Sequence, residues 1–192
     1  EIDKENQYII LRPVGIRWHS LKEQLILPFI LWREHLDLMH FPYFSVPVFY
    51  TGKFIVTIHD LILDHFDTGK ASTLPFVIYK IKRWGYKIVL WLALHRAVKI
   101  ITVSQTVKQE IMDHYKIKPE KIVVTYEAAG ADTVPPLRCE PKQYFLYVGN
   151  AYPHKNLERL LEAIANFKLK ISNFKLILVG PDDYFYKKLK EK

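Results

Sequence analysis

Short, mainly apolar runs alternate with longer segments of helical periodicity along most of this chain of 192 residues. The runs KFIVTI, VKIITV, KIVVTY (residues 121–126), YFLYV and KLILV are rich in β-branched or aromatic residues, as buried strands are. The segments between them, such as QTVKQEIMDHYK, repeat apolar residues three or four positions apart, as amphipathic helices do. Strands separated by such helices indicate parallel β-α-β units. We therefore predict an α/β fold with helices on both faces of a parallel sheet.

Several of the longer segments are predicted helices. They are residues 21–35, 73–97, 105–116, a segment from Asn156 to about 170, and a basic segment that begins near Asp182. Pro28 lies inside the first segment and should kink or divide it, because proline has no N–H for the helix hydrogen bond. The run LDLMHF, residues 36–41, is predicted to be a further short strand.

The alternation stops over AAGADTVPPLRCEPKQ, residues 128–143, and restarts after it. This stretch is rich in turn-forming residues, so we predict that it links two α/β layers. The second layer then has only two strands in this chain, which is too few for a stable domain. Because the N-terminal sequence is polar and does not start with Met, we expect the chain to be part of a longer protein.

The composition, 49% hydrophobic and 14% aromatic, is that of a globular protein. The single cysteine, Cys139, excludes a disulfide framework and a thiolate metal site, so we expect a reducing compartment such as the cytoplasm. The longest uncharged apolar run, IVLWLAL at 88–94, is far shorter than the roughly 20 residues that a membrane-spanning helix needs. We therefore expect no membrane span in this sequence.

The formal net charge of +8 favours anionic partners, which are nucleic acid, phosphorylated small molecules or an anionic membrane surface. The predicted helix 75–99 is a basic segment with interspersed aromatic residues, and its cations are Lys80, Lys82, Arg83, Lys87, Arg96 and Lys99. It is either an amphipathic face for a membrane that bears a lipid-linked acceptor, or an outer helix with a basic polar side. The cations are scattered and no nucleic-acid-binding motif is present, which argues against a nucleic-acid-binding module.

Polar or glycine residues follow the carboxyl end of each predicted strand, where ligands bind in open parallel sheets. These residues are His59, Asp60, Ser104, Glu127, Gly149, Asn150 and Gly180. Each also has a purely structural explanation, because Ser104 and Asn156 are common N-caps and glycines permit tight turns. A metal site at His59 would need further ligands, and Asp64 and His65 do not have a recognisable metal-ligand spacing.

The stretch YVGNAYPHKNLERLLEAI, residues 147–164, gives the most specific signal. It places Lys155 just before an Asn-capped helix, and phosphate groups bind well at helix N-termini. His154 is a candidate second donor to such a group. The alternative is a surface lysine, although a cation is unfavourable at this end of a helix. The chain has neither GxGxxG nor GxxxxGK followed by Ser or Thr, so a dinucleotide fingerprint and a Walker loop are unsupported.

Four segments together resemble the group-one retaining glycosyltransferases of the family-four type, which have the two-domain GT-B fold. They are VTIHDLIL at 56–63, IITVSQTVKQEI at 100–111, KPEKIVVTYEAAGAD at 118–132 and YVGNAYPHKNLERLLEAI at 147–164. The resemblance implies transfer of a sugar from a nucleotide-sugar to a glycan or lipid-linked acceptor, as in cell-surface polysaccharide synthesis. It implies no bound metal and no other cofactor, in keeping with the lack of an Asp-x-Asp motif.

The same resemblance assigns roles to the strand-end residues. His59 would lie near the donor sugar and acceptor, with Asp60 as its neighbour, unless His59 is simply a core histidine satisfied by the backbone. Lys155 would bind the donor diphosphate and offset charge on the leaving nucleotide. The supporting residues would be Gly149, Asn150 and His154 at the diphosphate, and Ser104 and Glu127 at the acceptor or cleft edge. Many relatives have Arg where this chain has Asn150, so one cation is missing or supplied from elsewhere.

The resemblance also predicts the domain organisation. Residues 1–130 would be the later part of an acceptor-side Rossmann-like domain, 131–142 a linker, and 143–192 the start of the donor-side domain. The family's glycine-rich acceptor loop and its paired donor-side glutamates are not found in this sequence, so both domains would be incomplete. We therefore expect the chain alone to be nearly inactive, and a noncatalytic interaction module of the same fold is the alternative.

Overall fold

The computed structural model describes residues 10–17, 19–66, 76–128, 144–168 and 175–191. The chain groups into two compact units, which are described separately. The first unit is Glu1–His59 with Gly85–Thr125, and the second is Asp60–Trp84 with Tyr126–Lys192. The predicted linker 131–142 lies outside the described residues, and the predicted domain boundaries stay a prediction.

The described residues form helices and short parallel strands in alternation. The helices are α1 Leu21–Arg33, α2 Ile62–His65, α3 Phe76–Arg96, α4 Gln105–Tyr115, α5 Leu157–Lys168 and α6 Tyr184–Lys190. The strands are β1 Met39–Phe41, β2 Phe54–Ile58, β3 Lys99–Thr102, β4 Ile122–Val124, β5 Tyr144–Val148 and β6 Lys175–Val179. Short 3-10 turns at Pro119–Lys121 and Pro153–Lys155 precede β4 and α5.

The sheet of the first unit has the order β1-β2-β3-β4, and all three strand pairs are parallel. Val56 of β2 lies beside Phe41 of β1 and Ile100 of β3 in this register. Because parallel strands bring their carboxyl ends to one edge, the residues that follow β2 and β3 belong to the same edge of the sheet. The predicted α/β fold with parallel sheets is confirmed.

The core of the first unit consists of both faces of this sheet and one side each of α3 and α4. Val56 and Ile100 are fully buried, as expected for parallel strands that are covered on both faces. Leu90 and Leu94 of α3 and Ile111 of α4 are buried as well. Full burial of each such side chain contributes about 1.5–3 kcal/mol, so this sheet holds the strand ends of the first unit in fixed positions.

The sheet of the second unit has two parallel strands, β5 and β6, paired over their whole length. Leu157 and Ile164 of α5 and Tyr186 and Leu189 of α6 are buried. The helical periodicity of these four residues gives each helix one apolar face. In contrast to the first sheet, β5 and β6 have no fully buried residue.

Two glycines bring the ends of β5 and β6 close together. Gly149 has a φ of 154°, a conformation that favours glycine. A Cβ atom added at Gly180 would lie 2.1 Å from the Gly149 carbonyl oxygen and 2.4 Å from a ring carbon of Tyr186. Close approach of the backbone and the Tyr186 ring therefore requires glycine at position 180.

Two local predictions differ from the structure in part. Pro28 does not divide the predicted helix, since α1 continues through it with the proline ring buried, and the alternative of a kink stays a prediction. Burial of that ring offsets the hydrogen bond that the missing N–H cannot form. The strand predicted at 121–126 is shorter, since Lys121 belongs to the preceding 3-10 turn and the strand ends at Val124.

Candidate functional site

His59 is held by the backbone of the first unit, one residue after the end of β2. Its Nε2 atom lies 3.0 Å from the carbonyl oxygen of Pro42, and its ring is next to the ring of Tyr43. A carbonyl oxygen only accepts, so Nε2 is the protonated nitrogen and the lone pair of the neutral ring is on Nδ1. This bond fixes the ring plane. It also agrees with the structural explanation, in which the backbone satisfies His59.

Asp60 begins the segment that leads into α2 in the second unit. Its carboxylate oxygen Oδ1 accepts a 3.0 Å hydrogen bond from the backbone N–H of Ile62. The side chain is exposed, so its second oxygen faces solvent. Asp60 is close enough to the His154 imidazole to raise the pKa of that histidine through its charge.

The loop after β5 is organised by two side chains. The Tyr147 hydroxyl donates a 2.7 Å hydrogen bond to the carbonyl oxygen of Asn150, and the Asn150 side-chain oxygen accepts from the backbone N–H of Tyr152 at 3.4 Å. The carbonyl of Asn150 thus stabilises the loop, whereas its side-chain amide group keeps two donors for a ligand. Gly149 is needed in this loop because of its positive φ.

His154 and Lys155 lie in a 3-10 turn between the loop and α5. The backbone N–H groups of Lys155 and Asn156 donate to the carbonyls of Tyr152 and Pro153, at 2.8 and 3.1 Å. Asn156 has a left-handed conformation with a φ of 52°, so the prediction that it is a standard N-cap is wrong. An N-cap residue normally has an extended backbone, whereas Asn156 closes the 3-10 turn initiated by Pro153 through its own N–H. The Lys155 side chain is exposed and points its charge to solvent.

His154 is partly buried. Its Nδ1 atom is buried and has no hydrogen-bond partner among the described residues. The rings of Phe66 and Tyr152 lie beside it, with centroids 5.6 and 6.0 Å away. Burial lowers the pKa of His154 below its ordinary value, the Lys155 charge lowers that pKa further, and Asp60 partly opposes both. The His154 ring is therefore uncharged at neutral pH.

Ser104 and Glu127 follow the ends of β3 and β4. The Ser104 hydroxyl accepts a 3.2 Å hydrogen bond from the backbone N–H of Val107 and caps α4, as its structural explanation predicts. Glu127 is exposed. The structure thus assigns Ser104 a structural role, and the predicted acceptor-side role of both residues stays a prediction.

A cavity of about 260 Å³ lies behind the 3-10 turn of the second unit. Tyr152 and Phe185 line it with rings 5.2 Å apart, and Glu158 and Lys188 supply charges of opposite sign. His154 and Lys155 are not among its lining residues. An anion such as a diphosphate would meet the Glu158 carboxylate there, so this cavity is a poor diphosphate site.

Sequence reasoning missed the surroundings of His154. Phe66 and Asp60 come from a segment far away along the chain, and no local pattern indicates that they approach this turn. Tyr152 was within the quoted motif, and an aromatic residue two positions before the histidine was the only available signal. The structure brings Asp60, His154 and Lys155 together in the second unit, whereas His59 belongs to the first.

Two searches of the described residues were negative. Within them, no three His, Cys, Asp or Glu side chains form a group that could hold a metal ion. None of the described helices is both long and apolar enough to cross a membrane.

Comparison with protein families gives two adjoining matches. Residues 6–129 match the model described as Glycosyltransferase Family 4, and residues 134–192 match Glycosyl transferases group 1. Among curated proteins, the O-antigen chain mannosyltransferase RfbU of Salmonella typhimurium is 33% identical over 106 residues, which are 54% of this chain and 29% of that relative.

Solved structures of glycosyltransferases are also similar. The glycosyltransferase from Rickettsia africae ESF-5 has 19% identity and a TM-score of 0.44, over 94% of this chain and 56% of its own. The GtfA/B complex bound to UDP and GlcNAc has 12% identity and a TM-score of 0.31, over 86% of this chain and 38% of its own. The chain thus spans less than two thirds of the length of these relatives. Because the first family model alone covers more than half of its residues, the chain belongs to Glycosyltransferase Family 4.

Proposed function

We propose that this chain is part of a retaining glycosyltransferase that moves a sugar from a nucleotide-sugar donor to a glycan or lipid-linked acceptor. The observation that carries the proposal is the turn at His154 and Lys155, which directly follows the loop at the carboxyl end of β5. This is the position where ligands bind in open parallel sheets. Family membership supports the reaction class, since both matching models describe glycosyltransferases.

Lys155 is the residue that we assign to the donor diphosphate. Its ammonium group is exposed at the turn, so a phosphate can reach it without a rearrangement of the core. A cation there offsets the negative charge that develops on the leaving nucleotide, and this lowers the barrier to transfer. The neutral His154 ring adds a hydrogen-bonding nitrogen beside the charge, in a partly buried environment that strengthens the interaction.

His59 is assigned to the sugar and acceptor side. The hydrogen bond from Nε2 to the Pro42 carbonyl fixes the ring plane of His59 directly after the end of β2. A ring held in a fixed orientation at a strand end can contact a bound sugar and thereby orient it. Asp60 is assigned to support the donor site through its charge on His154, which lies in the same unit.

The sugar and the pathway are proposed from the curated relative. RfbU is described as an O-antigen chain mannosyltransferase, so we propose mannose as the first sugar to test and cell-surface polysaccharide synthesis as the process. We further propose that donor binding requires no metal ion. Addition of a chelator should then leave the affinity for the nucleotide-sugar unchanged.

The test is direct binding of nucleotide-sugars to the 192-residue chain, measured by ligand-observed NMR and calorimetry with GDP-mannose and UDP-sugars. We expect saturable binding of one donor class. Lys155→Gln should weaken it at least tenfold, because a charge-assisted hydrogen bond is worth about 1.5–3 kcal/mol. Lys187→Gln removes the same charge from α6 of the same unit and is the matched control. Absence of binding to every donor, or equal loss in both variants, would overturn the assignment.

Binding of a nucleotide-sugar by this chain does not require that the chain also catalyses sugar transfer. Since the chain spans 29% of the length of RfbU, we propose that its own turnover is negligible and that the remaining active-site residues come from a longer protein. Transfer of mannose to an acceptor by the isolated chain at rates of about 1 s⁻¹, an ordinary enzyme rate, would contradict this expectation.

We also propose that the protein works in the cytoplasm and that α3 contacts the membrane surface. Val77, Ile81, Trp84 and Trp91 are exposed and follow one another along one side of this helix, at spacings of four, three and seven residues. The lysines at positions 80 and 87 flank this line of residues, which suits an anionic bilayer surface. Trp84→Ala should therefore lower binding to anionic vesicles in co-sedimentation, and no binding of the unmodified chain at low salt would remove this proposal.

A further inference from the structure

A basic pocket lies in the first unit at the opposite edge of the sheet from Ser104. It has a volume of about 420 Å³ and surrounds the start of β3 and the turn before β4. Ligand pockets have volumes of about 300–1,000 Å³, so this pocket is large enough for a small polar group. Its polar lining consists of His95, Lys99, Lys116, Lys118, Glu120 and Lys121. Four lysines and one glutamate make the lining strongly positive.

Two of these lysines are fixed by the backbone. The Lys121 ammonium donates a 2.6 Å hydrogen bond to the carbonyl of His95, and the Lys99 ammonium donates a 2.7 Å hydrogen bond to the carbonyl of Glu120. Each ammonium has three donors, so each keeps donors for a bound anion. Burial lowers the pKa of Lys121, and an anion beside it would oppose that effect.

The other two lysines, Lys116 and Lys118, are exposed, and their ammonium groups have no hydrogen bond or ion pair within the described part of the chain. Lys116 is the C-cap of α4 and has a φ of 55°, a conformation in which glycine is the usual residue. A cation is favourable at the C-terminus of a helix, and the Lys116 charge adds to the positive potential of the pocket.

The rim of the pocket is apolar and aromatic. Val98 lines the pocket and is half exposed, and His95 stacks on the exposed ring of Trp91 with centroids 4.1 Å apart. Trp91 is the last aromatic residue in the exposed line of α3. Tryptophan is enriched at the boundary between lipid headgroups and acyl chains. A cluster of lysines beside this tryptophan can bind a lipid phosphate while the indole ring lies at the headgroup boundary.

We propose that this pocket binds a phosphate group, and that the group belongs to the headgroup of an anionic lipid. Lys99 and Lys121 form the fixed floor, Lys116 and Lys118 approach from solvent, and Trp91 inserts at the headgroup level. This inference rests on the proposed membrane contact of α3 and extends it to a specific headgroup site. It does not depend on glycosyl transfer. The pocket lies at the start of β3, at the opposite edge of the sheet from the carboxyl ends of the strands, where we propose that the substrates bind.

The test is co-sedimentation of the 192-residue chain with phosphatidylcholine vesicles that do or do not contain phosphatidylglycerol. Lys116→Gln/Lys118→Gln should weaken binding to the anionic vesicles about 25-fold, at about fivefold for each lysine near the surface. The control is Lys22→Gln/Arg33→Gln, which removes the same charge from exposed positions of α1 in the same unit. It should change binding by less than about threefold. Circular dichroism melts of all variants show that the fold is intact.

A second comparison separates a lipid headgroup from free phosphate. Trp91→Ala should weaken vesicle binding, whereas Phe29→Ala, which removes an equally exposed aromatic ring from α1, should not. Neither change should alter binding of soluble glycerol phosphate, followed by NMR shifts of Ile117 and Lys118. If the pocket variant and its charge control bind vesicles equally well, the proposed headgroup site is wrong, and the proposed membrane contact of α3 is unaffected. Binding of glycerol phosphate without any binding of vesicles would overturn the lipid source, together with the membrane contact of α3.

Discussion

The Tyr186 hydroxyl donates a 2.9 Å hydrogen bond to the backbone carbonyl of Gly149, which joins α6 to the loop after β5. This loop leads into the turn with His154 and Lys155, so the bond helps to hold the candidate donor site. Tyr186 is buried, and removal of its hydroxyl leaves the Gly149 carbonyl without that partner.

Tyr186→Phe is therefore expected to destabilise the end of β5 by about 1 kcal/mol. The measurement is amide hydrogen exchange at Gly149, whose N–H bonds to the carbonyl of Val179 at 2.9 Å. We expect its protection to fall about fivefold. Tyr184→Phe is the control, because Tyr184 is on the same helix and half exposed. Equal effects of the two substitutions would show that the hydrogen bond to Gly149 does not stabilise the loop.

Gly180→Ala should destabilise the second unit more strongly. The new Cβ would lie 2.1 Å from the Gly149 carbonyl oxygen, and that oxygen belongs to the backbone and cannot rotate away. Overpacking of this kind costs about 1–3 kcal/mol or more, and the strand ends must separate to relieve it. We expect loss of exchange protection across β5 and β6, with protection in the first unit unchanged.

Gly85→Ala is the control for Gly180→Ala, because it also adds one methyl group at a glycine. Nothing lies within 4 Å of the Cβ position at Gly85, and the residue is in the middle of α3. Alanine should stabilise the helix by about 0.5–1 kcal/mol and raise the melting temperature. A lower melting temperature for Gly85→Ala would mean that the position is constrained in a way that steric space does not reveal.

The alternating fold could be predicted from sequence because its signals are local. The β-branched runs became β2, β3, β5 and β6 within one or two residues, and Ser104 caps α4 as an N-terminal serine should. The helix predicted to start at Asn156 begins at Leu157, one residue later. Asn156 is not a standard N-cap because its backbone is left-handed at the end of the 3-10 turn, and residue preferences do not reveal this conformation.

The candidate site could be predicted only in part. The strand pattern predicted that His59 follows the end of β2, and the helix pattern predicted that Lys155 precedes α5. The approach of Phe66 and Asp60 to His154 depends on tertiary packing between distant segments, which no local pattern contains. The same holds for the basic pocket, whose lysines come from the start of β3, the end of α4 and the turn before β4.

Ser104→Ala tests whether Ser104, which follows the end of β3, stabilises the fold as a helix cap. Loss of the N-cap should destabilise the first unit by about 1 kcal/mol, since the N–H of Val107 loses its side-chain acceptor. Urea denaturation followed by tryptophan fluorescence measures the change. Thr106→Ala, at the second residue of the same helix, should be neutral or slightly stabilising. A chain that loses no stability with Ser104→Ala would leave a ligand as the better explanation for this serine.

The titration of His154 tests the electrostatics of the donor site. Burial and Lys155 lower its pKa below about 6.5, and Asp60 raises it. Lys155→Gln should therefore raise the pKa of His154, and Asp60→Asn should lower it further. Two-dimensional NMR of the imidazole protons measures both shifts, and His154→Gln identifies the signal among the eight histidines.

Because folding lowers the pKa of His154, the stability of the folded chain depends on pH. Because the folded chain favours the neutral ring, the stability contribution of His154 is fully present above the unfolded pKa of about 6.5 and is lost as pH falls through the lowered folded value. A nucleoside diphosphate bound at Lys155 adds negative charge near the ring, so it should raise the pKa of His154 back toward its ordinary value. If a saturating nucleoside diphosphate leaves the titration of His154 unchanged, the diphosphate does not bind beside this turn, and Lys155 loses its assigned role.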